Sequence, residues 1–492
     1  MRIPFGEYLP DQPPYDNAGL TVASNCLPIS NHFRSMRGLQ RYSNNGLNGV
    51  CKGFFVGRDK SGNVYTYAGD TSDLFSMVNS SFTAVSRTAG GAYNVGSNDH
   101  WEFAQWGERV VATDYADAVQ MIDFGATAFS SLSGCVSKAR HLAVVGDFLV
   151  LGNVTDYSSG VAMPNRVQWS GLDNIGTWAP SASTQADGQT LYGDGGWIQR
   201  IVGGTKGIIV QERSIWQMSY IGAPYVFRFD EIEPGKGTPA PMSVVIVGSN
   251  FFYLGQDDFY IFSNSVSANL GHGKVYQTFI DSVDQSNIHR VYGMADMKAP
   301  IIFWAYPSTD AINGNPDKIL VYNYVVNKWA GPINVTIELL CNMRAEGYTL
   351  DTLDTLNASV DALPYSLDAT AYMGGTLNFG AMDTGHYLNT FNGADLTAVF
   401  ETGDRQIEEG KKYLINIARP MVEGVSASAS VAVSGRVRTK DPISYGPDVA
   451  VNSEGEAPVD NEARYHRFRT TVADGFTHAS GIEVYGGVGG EY

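Results

Sequence analysis

Cysteine is scarce in this chain: Cys26, Cys51, Cys135 and Cys341 are the only four among 492 residues, and they are widely spaced. No CxxC pair occurs, so neither a zinc site nor a disulfide framework is expected, and buried free thiols in a reducing compartment are the simplest account. Long apolar runs are missing too. Nowhere do 18 apolar residues follow one another, and the opening MRIPFGEYLPDQPP has no signal-peptide core, so neither secretion by a signal peptide nor stable membrane insertion is expected. Basic charge is in short supply, with 33 Lys and Arg against 50 Asp and Glu and a formal net charge of −17. Residues 1–60 carry seven basic groups against four acidic, residues 61–400 carry 16 against 32, and residues 401–492 carry ten against 14. An acidic body is soluble and repels nucleic acid at long range, which argues against tight duplex binding by the middle region.

Catalytic patterns are also lacking. No GxSxG elbow, P-loop or HExxH occurs, and His32, His100, His141, His272, His289, His386, His466 and His478 never fall at metal-ligand spacing. Each histidine reads as a lone polar group. Asp257-Asp258 could be imagined as a hydrolytic pair, but neighbouring strand positions face opposite ways, so a turn or blade-edge role is favoured. Asp59-Lys60-Ser61-Gly62-Asn63 looks like a calcium loop without its distal glutamate, since Thr71 stands near the twelfth position, and a hairpin turn is the better reading. Gly193-Asp194-Gly195-Gly196 is a turn rather than a phosphate cradle, because no helix follows it. We therefore assign no catalytic, cofactor-binding or metal residue, and expect no cofactor and no enzymatic activity.

What is present is glycine, 55 residues of it, in a repeated phrase. An apolar strand breaks at a glycine turn and leaves as a second apolar strand: SGNVYTYAG, WGERVVATD, VGDFLVLGN, TKGIIVQER and VGSNFFYLGQ. The turn glycines read as Gly62, Gly107, Gly146, Gly207 and Gly248, at steps of 45, 39, 61 and 41 residues. A strand-only period of this size predicts a β-propeller, one four-stranded blade per repeat. Six repeats can be followed, with a weaker seventh over residues 376–393, giving about six to eight blades across residues 46–400. TDYSSGVAMP and STDAINGNPDK stretch the period as loop insertions, and residues 351–361 are either a surface excursion or a short helix.

Residues 1–45 are turn-rich and predict an extended arm whose order depends on another surface. Residues 401–492 hold longer alternating strands, such as YLINIARPMVEG and ARYHRFRTTVAD, which predict a separate β-sandwich-like module. The eight tryptophans recur with the blades. As a ladder they could stack sugar rings, but such side chains more often fill the wedges between blades.

Three stretches resemble a known family. FGEYLPDQPPYDNAGLTVASNCLP (residues 5–28), YIGAPYVFRFDEIEPGKGTPAPMSVVIVGSNFFYLGQDDFYIFSNSVSANLGHGKV (residues 220–275) and the closing ARYHRFRTTVADGFTHASGIEVYGGVGGEY are similar to segments of short-tailed bacteriophage (podovirus) tail nozzle or hub proteins, also called packaged-DNA stabilisation proteins. Together they cover about a quarter of the chain, and Asp257-Asp258-Phe259 departs from the Asp-Gly turn of the pattern. The resemblance implies a structural virion protein of the phage tail, assembled in the host bacterial cytoplasm as a homo-hexameric ring. Its partners would be the portal and adaptor complex, tail fibres or a tail needle, and the genomic DNA that it retains and conducts during ejection. The resemblance leaves the DNA-channel and gate residues unknown. The alternative is a receptor-binding, carbohydrate-recognising propeller of the tail, and behind it a propeller glycosidase or lyase.

Overall fold

The computed structural model describes residues 1–15, 17–344, 359, 375 and 377–489. The chain folds as an all-β, seven-bladed propeller joined to a β-sandwich. Blades 1 to 6 are antiparallel four-stranded meanders over residues 53–84, 102–131, 139–190, 198–234, 245–269 and 292–334. Blade 7 takes three strands from residues 339–390, and its fourth strand, Gln40–Arg41, comes from near the start of the chain. The first strands of successive blades touch one another from Gly53–Arg58 round to Leu339–Arg344 and back, except that blade 4's first strand meets the turn Pro241–Ser243 leading into blade 5. Each blade's innermost strand is therefore its first, and the ring is sealed by pairing the early strand Gln40–Arg41 with Leu388–Thr390.

Burial follows from this stacking. Second strands lie inside the blades with neighbours on both faces, and their sequences are predominantly apolar rather than strictly alternating. Phe148–Thr155 is buried at seven of eight positions, and Ile301–Tyr306 at all six. Trp101, Trp169, Trp178, Trp304 and Trp329 are buried among the blades, whereas Trp197 is half exposed. The turns between first and second strands place Gly62, Gly107, Gly146 and Gly248 at φ of 89°, 57°, 55° and 62°, the left-handed region that suits glycine. Blade 4 corrects the sequence phase. Its turn residue is Gly204, at φ 148°, while Gly207 is the first residue of the second strand. Two glycines three residues apart in GGTKG gave two possible alignments.

The sandwich holds two sheets. One is ordered Cys26–Pro28, Phe33–Ser35, His478–Val488, Tyr413–Glu423, Ala457–Ala463, with Arg2–Pro4 also paired to His478–Val488. The other runs Leu20–Ser24, Ala398–Thr402, Tyr465–Ala473, Ser428–Arg436, Val449–Ala450. That second sheet continues into blade 6 through the pairing of Ala23 with Gly331, giving nine strands in all. The segment expected as an arm thus finds its supporting surface within the same chain. Ile3, Phe5, Leu20 and Phe33 are buried there, with Phe5 and Phe33 packed on Phe400 at ring distances of 4.9 and 5.3 Å. Its strands are only two to five residues long and broken by prolines, too short for period-2 alternation to register. Residues 351–361, apart from Ser359, lie outside the described residues.

Candidate functional site

The end of the propeller at which the first strands begin gathers one polar side chain or more from nearly every blade. The connections into the first strands and the opening residues of those strands place Lys52, His100 with Glu102, Arg140 with His141, Gln199 with Arg200, Met242, His289 and Glu338 at this mouth. Two cavities open there, of about 380 and 830 Å³, and His100 lines both.

The smaller lobe is acid-lined. Glu102 of blade 2 is 6% exposed and forms an ion pair with Arg200 of blade 4. Its Oε2 also accepts from the Leu142 N–H at 3.0 Å and lies 3.2 Å from His141 Nδ1. Burial alone would raise this carboxyl, but Arg200, His141 and the Leu142 N–H outweigh it and hold the group below the usual carboxylate value. The pair spans blade 3, tying the first strand of blade 2 to that of blade 4. Beside it, Arg140 donates to Asp99 at 2.8 Å and stacks over Tyr115, its guanidinium carbon 4.2 Å from the ring centre and 5.6 Å from that of Trp197. Glu212 accepts from the Trp197 N–H and the Gln199 amide, which fixes the loop carrying the half-exposed indole.

Asp114 differs from these partnered acids. It follows the second strand Arg109–Thr113, is 1% exposed, and its Oδ1 accepts from the Asp117 N–H at 3.0 Å. Its Oδ2 has no partner, and burial, reinforced by Asp117 and Asp99, pushes its pKa up to about 6. Asn153 of blade 3, also buried in this lobe, leaves its Oδ1 unpartnered while its amide donates to Ile198.

The larger lobe has the opposite charge. Lys52 donates to the carbonyls of Gly96 and Ser97, and Arg290 to those of Asn313 and Gly314. Burial, with Arg290 second, lowers the Lys52 pKa, and burial together with Lys52 brings His100 down to about 3. Glu338 accepts from the Cys51 N–H at 2.7 Å and pairs with His386 Nδ1 at 2.6 Å. Burial raises its carboxyl above the usual value.

Four of the eight histidines, His100, His141, His289 and His386, therefore meet at one mouth, although the sequence places them far apart. Among the described residues no three His, Cys, Asp or Glu groups are placed to hold a metal ion. Asp258 is fully buried in the turn between the second and third strands of blade 5, accepting from the N–H groups of Phe259, Gly271 and His272. Asp257 is exposed beside it and accepts from the Tyr260 hydroxyl. The Asp59 carboxylate closes its own hairpin by accepting from the Ser61 and Asn63 N–H groups. The four cysteines are buried and unbridged. Sequence reasoning missed Asp114, yet a signal was present: Asp-x-x-Asp recurs at residues 70–73 and 114–117, after the second strands of consecutive blades. Asp70 caps its turn in the same manner, accepting from the Ser72 and Asp73 N–H groups.

Among the described residues no helix is long and apolar enough to cross a membrane. No family model and no curated protein sequence matches this chain. Solved structures with a similar trace include BamB from Moraxella catarrhalis, at 10% identity and a TM-score of 0.38 over 74% of this chain and 95% of that one. The WD40 domain of Neurospora crassa Pan2 is similar at 7% identity and a TM-score of 0.38, over 74% and 97%. The extracellular domain of a putative hybrid two-component system from B. thetaiotaomicron shares 8% identity at a TM-score of 0.41, over 86% of this chain but 47% of that one. The propeller assignment stands on this chain's own sheets.

Proposed function

We propose that this chain is a structural, non-enzymatic subunit of a short-tailed bacteriophage tail, assembling as a ring that retains packaged DNA and conducts it at ejection. The observation that carries the assembly reading is on the face opposite the polar mouth. There the connections between third and fourth strands present Val78, Leu172, Ile221, Tyr225, Val266 and Val325, at exposures of 42–78%. Five of seven blades thus offer exposed apolar side chains at one end of the propeller, and in this reading a neighbouring copy covers them. The phage assignment is supported by the resemblance of residues 5–28, 220–275 and the closing segment. The first and last of these supply paired strands of the sandwich, and the middle one spans most of the long hairpin of blade 4 and all of blade 5.

The passage in this reading lies between several copies. Particle imaging of the purified chain tests it: a six-fold ring with an axial channel is expected, and virions lacking the protein should package DNA and then leak it. Monomers at all concentrations, together with stable DNA-filled particles lacking the protein, would refute the proposal. The carbohydrate-recognition alternative draws on Trp197, the one half-exposed tryptophan at the mouth, and saturable glycan binding lost in Trp197→Ala would favour it.

A further inference from the structure

We infer that the acid-lined lobe of the propeller mouth is a binding site for a primary ammonium group, borne by a free polyamine or by a lysine side chain of a partner. The proposal does not depend on the assembly reading. Of the lobe's four carboxylates, Glu102 is paired with Arg200 and Asp99 with Arg140, and Glu212 is held by neutral N–H donors. Asp114 is left. Among the described residues no cation pairs with it, and its Oδ2 has no donor.

A second, independent acceptor lies in the same lobe. Asn153 Oδ1 belongs to a side chain that is 1% exposed, sits in another blade, and likewise has no donor. A buried acceptor left without a donor is unfavourable, and a ligand rich in donors placed between Asp114 and Asn153 would satisfy both. An ammonium group brings three donors and no acceptor, together with the positive charge that the carboxylate lacks. A neutral alcohol brings one donor and no charge.

The wall completes the fit. Trp197 is 50% exposed and gives an alkyl stem an aromatic face to lie on. His100 remains neutral above about pH 3, through burial first and the Lys52 charge second, so it does not compete as a cation. At about 380 Å³ the cavity is at the small end of ligand sites, suited to one aminoalkyl group rather than an oligosaccharide.

The test is calorimetric titration of the full-length protein with putrescine, with Nα-acetyl-lysine methylamide and with n-butanol as a neutral control. Both amines are expected to bind saturably, and butanol at least tenfold more weakly. Asp114→Asn keeps an acceptor for the Asp117 N–H but loses the charge, and should weaken amine binding by about 10- to 100-fold, the range for a charged hydrogen bond. Trp197→Ala, at a half-exposed position, should weaken it several-fold with an unchanged melting curve, which keeps the proposal testable if Asp114→Asn folds poorly. Preference for putrescine assigns the site to free polyamines, and preference for the lysyl amide assigns it to a partner's lysine; either upholds the ammonium chemistry. Equal binding of butanol and amines, no binding of either amine, or amine affinity unchanged in the folded variants would overturn it.

Discussion

Glu102 shows most directly how the mouth is held. A carboxylate this buried persists only because Arg200, His141 and a backbone N–H converge on it. Glu102→Gln should therefore cost about 3 kcal/mol in urea unfolding, since it strands Arg200 in a site built for a pair, whereas replacing both residues by methionine should recover much of the loss. Asp114 gives a pH signature of opposite origin. Its ordinary value is 3.8 and its folded value about 6, so between these limits the unfolded chain gives up the proton first. Its contribution is fully present below about pH 4 and declines as pH rises to about 6, by roughly 3 kcal/mol. His100, lowered by burial to about 3, adds the contrary slope below pH 6.5, so the comparison with Asp114→Asn isolates the aspartate. Urea titrations from pH 4 to 7 should show the variant gaining on wild type as pH rises; parallel profiles would refute the assignment. Single-residue roles were hard to read beforehand because spacing along the chain separates groups that the ring brings together. His100 and His289 are far apart in sequence and line the same cavity.

At the scale of elements, most of the ring was legible because each first hairpin repeats its turn. The pattern weakened where the physics of the turn changed. Blade 6 turns through Asp296–Pro300 without a glycine, and blade 7 borrows its last strand from the other end of the sequence. The glycines themselves separate two effects. A Cβ at Gly107 would meet nothing within 4 Å, so Gly107→Ala should cost only the left-handed backbone penalty, about 1–2 kcal/mol. A Cβ at Gly69 would stand 2.3 Å from Cδ1 of the buried Trp101, whose indole N–H donates to the Asp70 carbonyl. Gly69→Ala should cost about 3 kcal/mol or more through overpacking, and thermal melts of the two variants should rank accordingly. Equal shifts would mean that Trp101 can move aside.

For the molecule as a whole, charge and connectivity set the expectations. With 32 acidic groups against 16 basic ones in residues 61–400, and several of those cations held in ion pairs, the isolated protein should bind duplex DNA weakly and lose little between 50 and 200 mM salt. A protein using six to ten phosphate contacts would lose about 10³- to 10⁵-fold over that interval, and such a slope in a filter or fluorescence assay would contradict the reading. The sandwich was legible only in its long C-terminal strands. The short early strands that complete it carry too few residues to show a period, and nothing local names their partners.

The weave of the early strands into the late ones also imposes a timetable. Met1 bonds to Val484 across 483 positions, and Arg2–Pro4 pairs only with His478–Val488. At about 5–20 residues per second, a ribosome needs roughly 25–100 s to deliver that partner. Throughout this interval Ile3 and Phe5, buried in the finished protein, wait in the open. Translation that stops short of residue 478 leaves them with no strand to join. Chains cut before residue 478 should therefore be cleaved by a protease near Ile3 and Phe5 sooner than the full-length chain is.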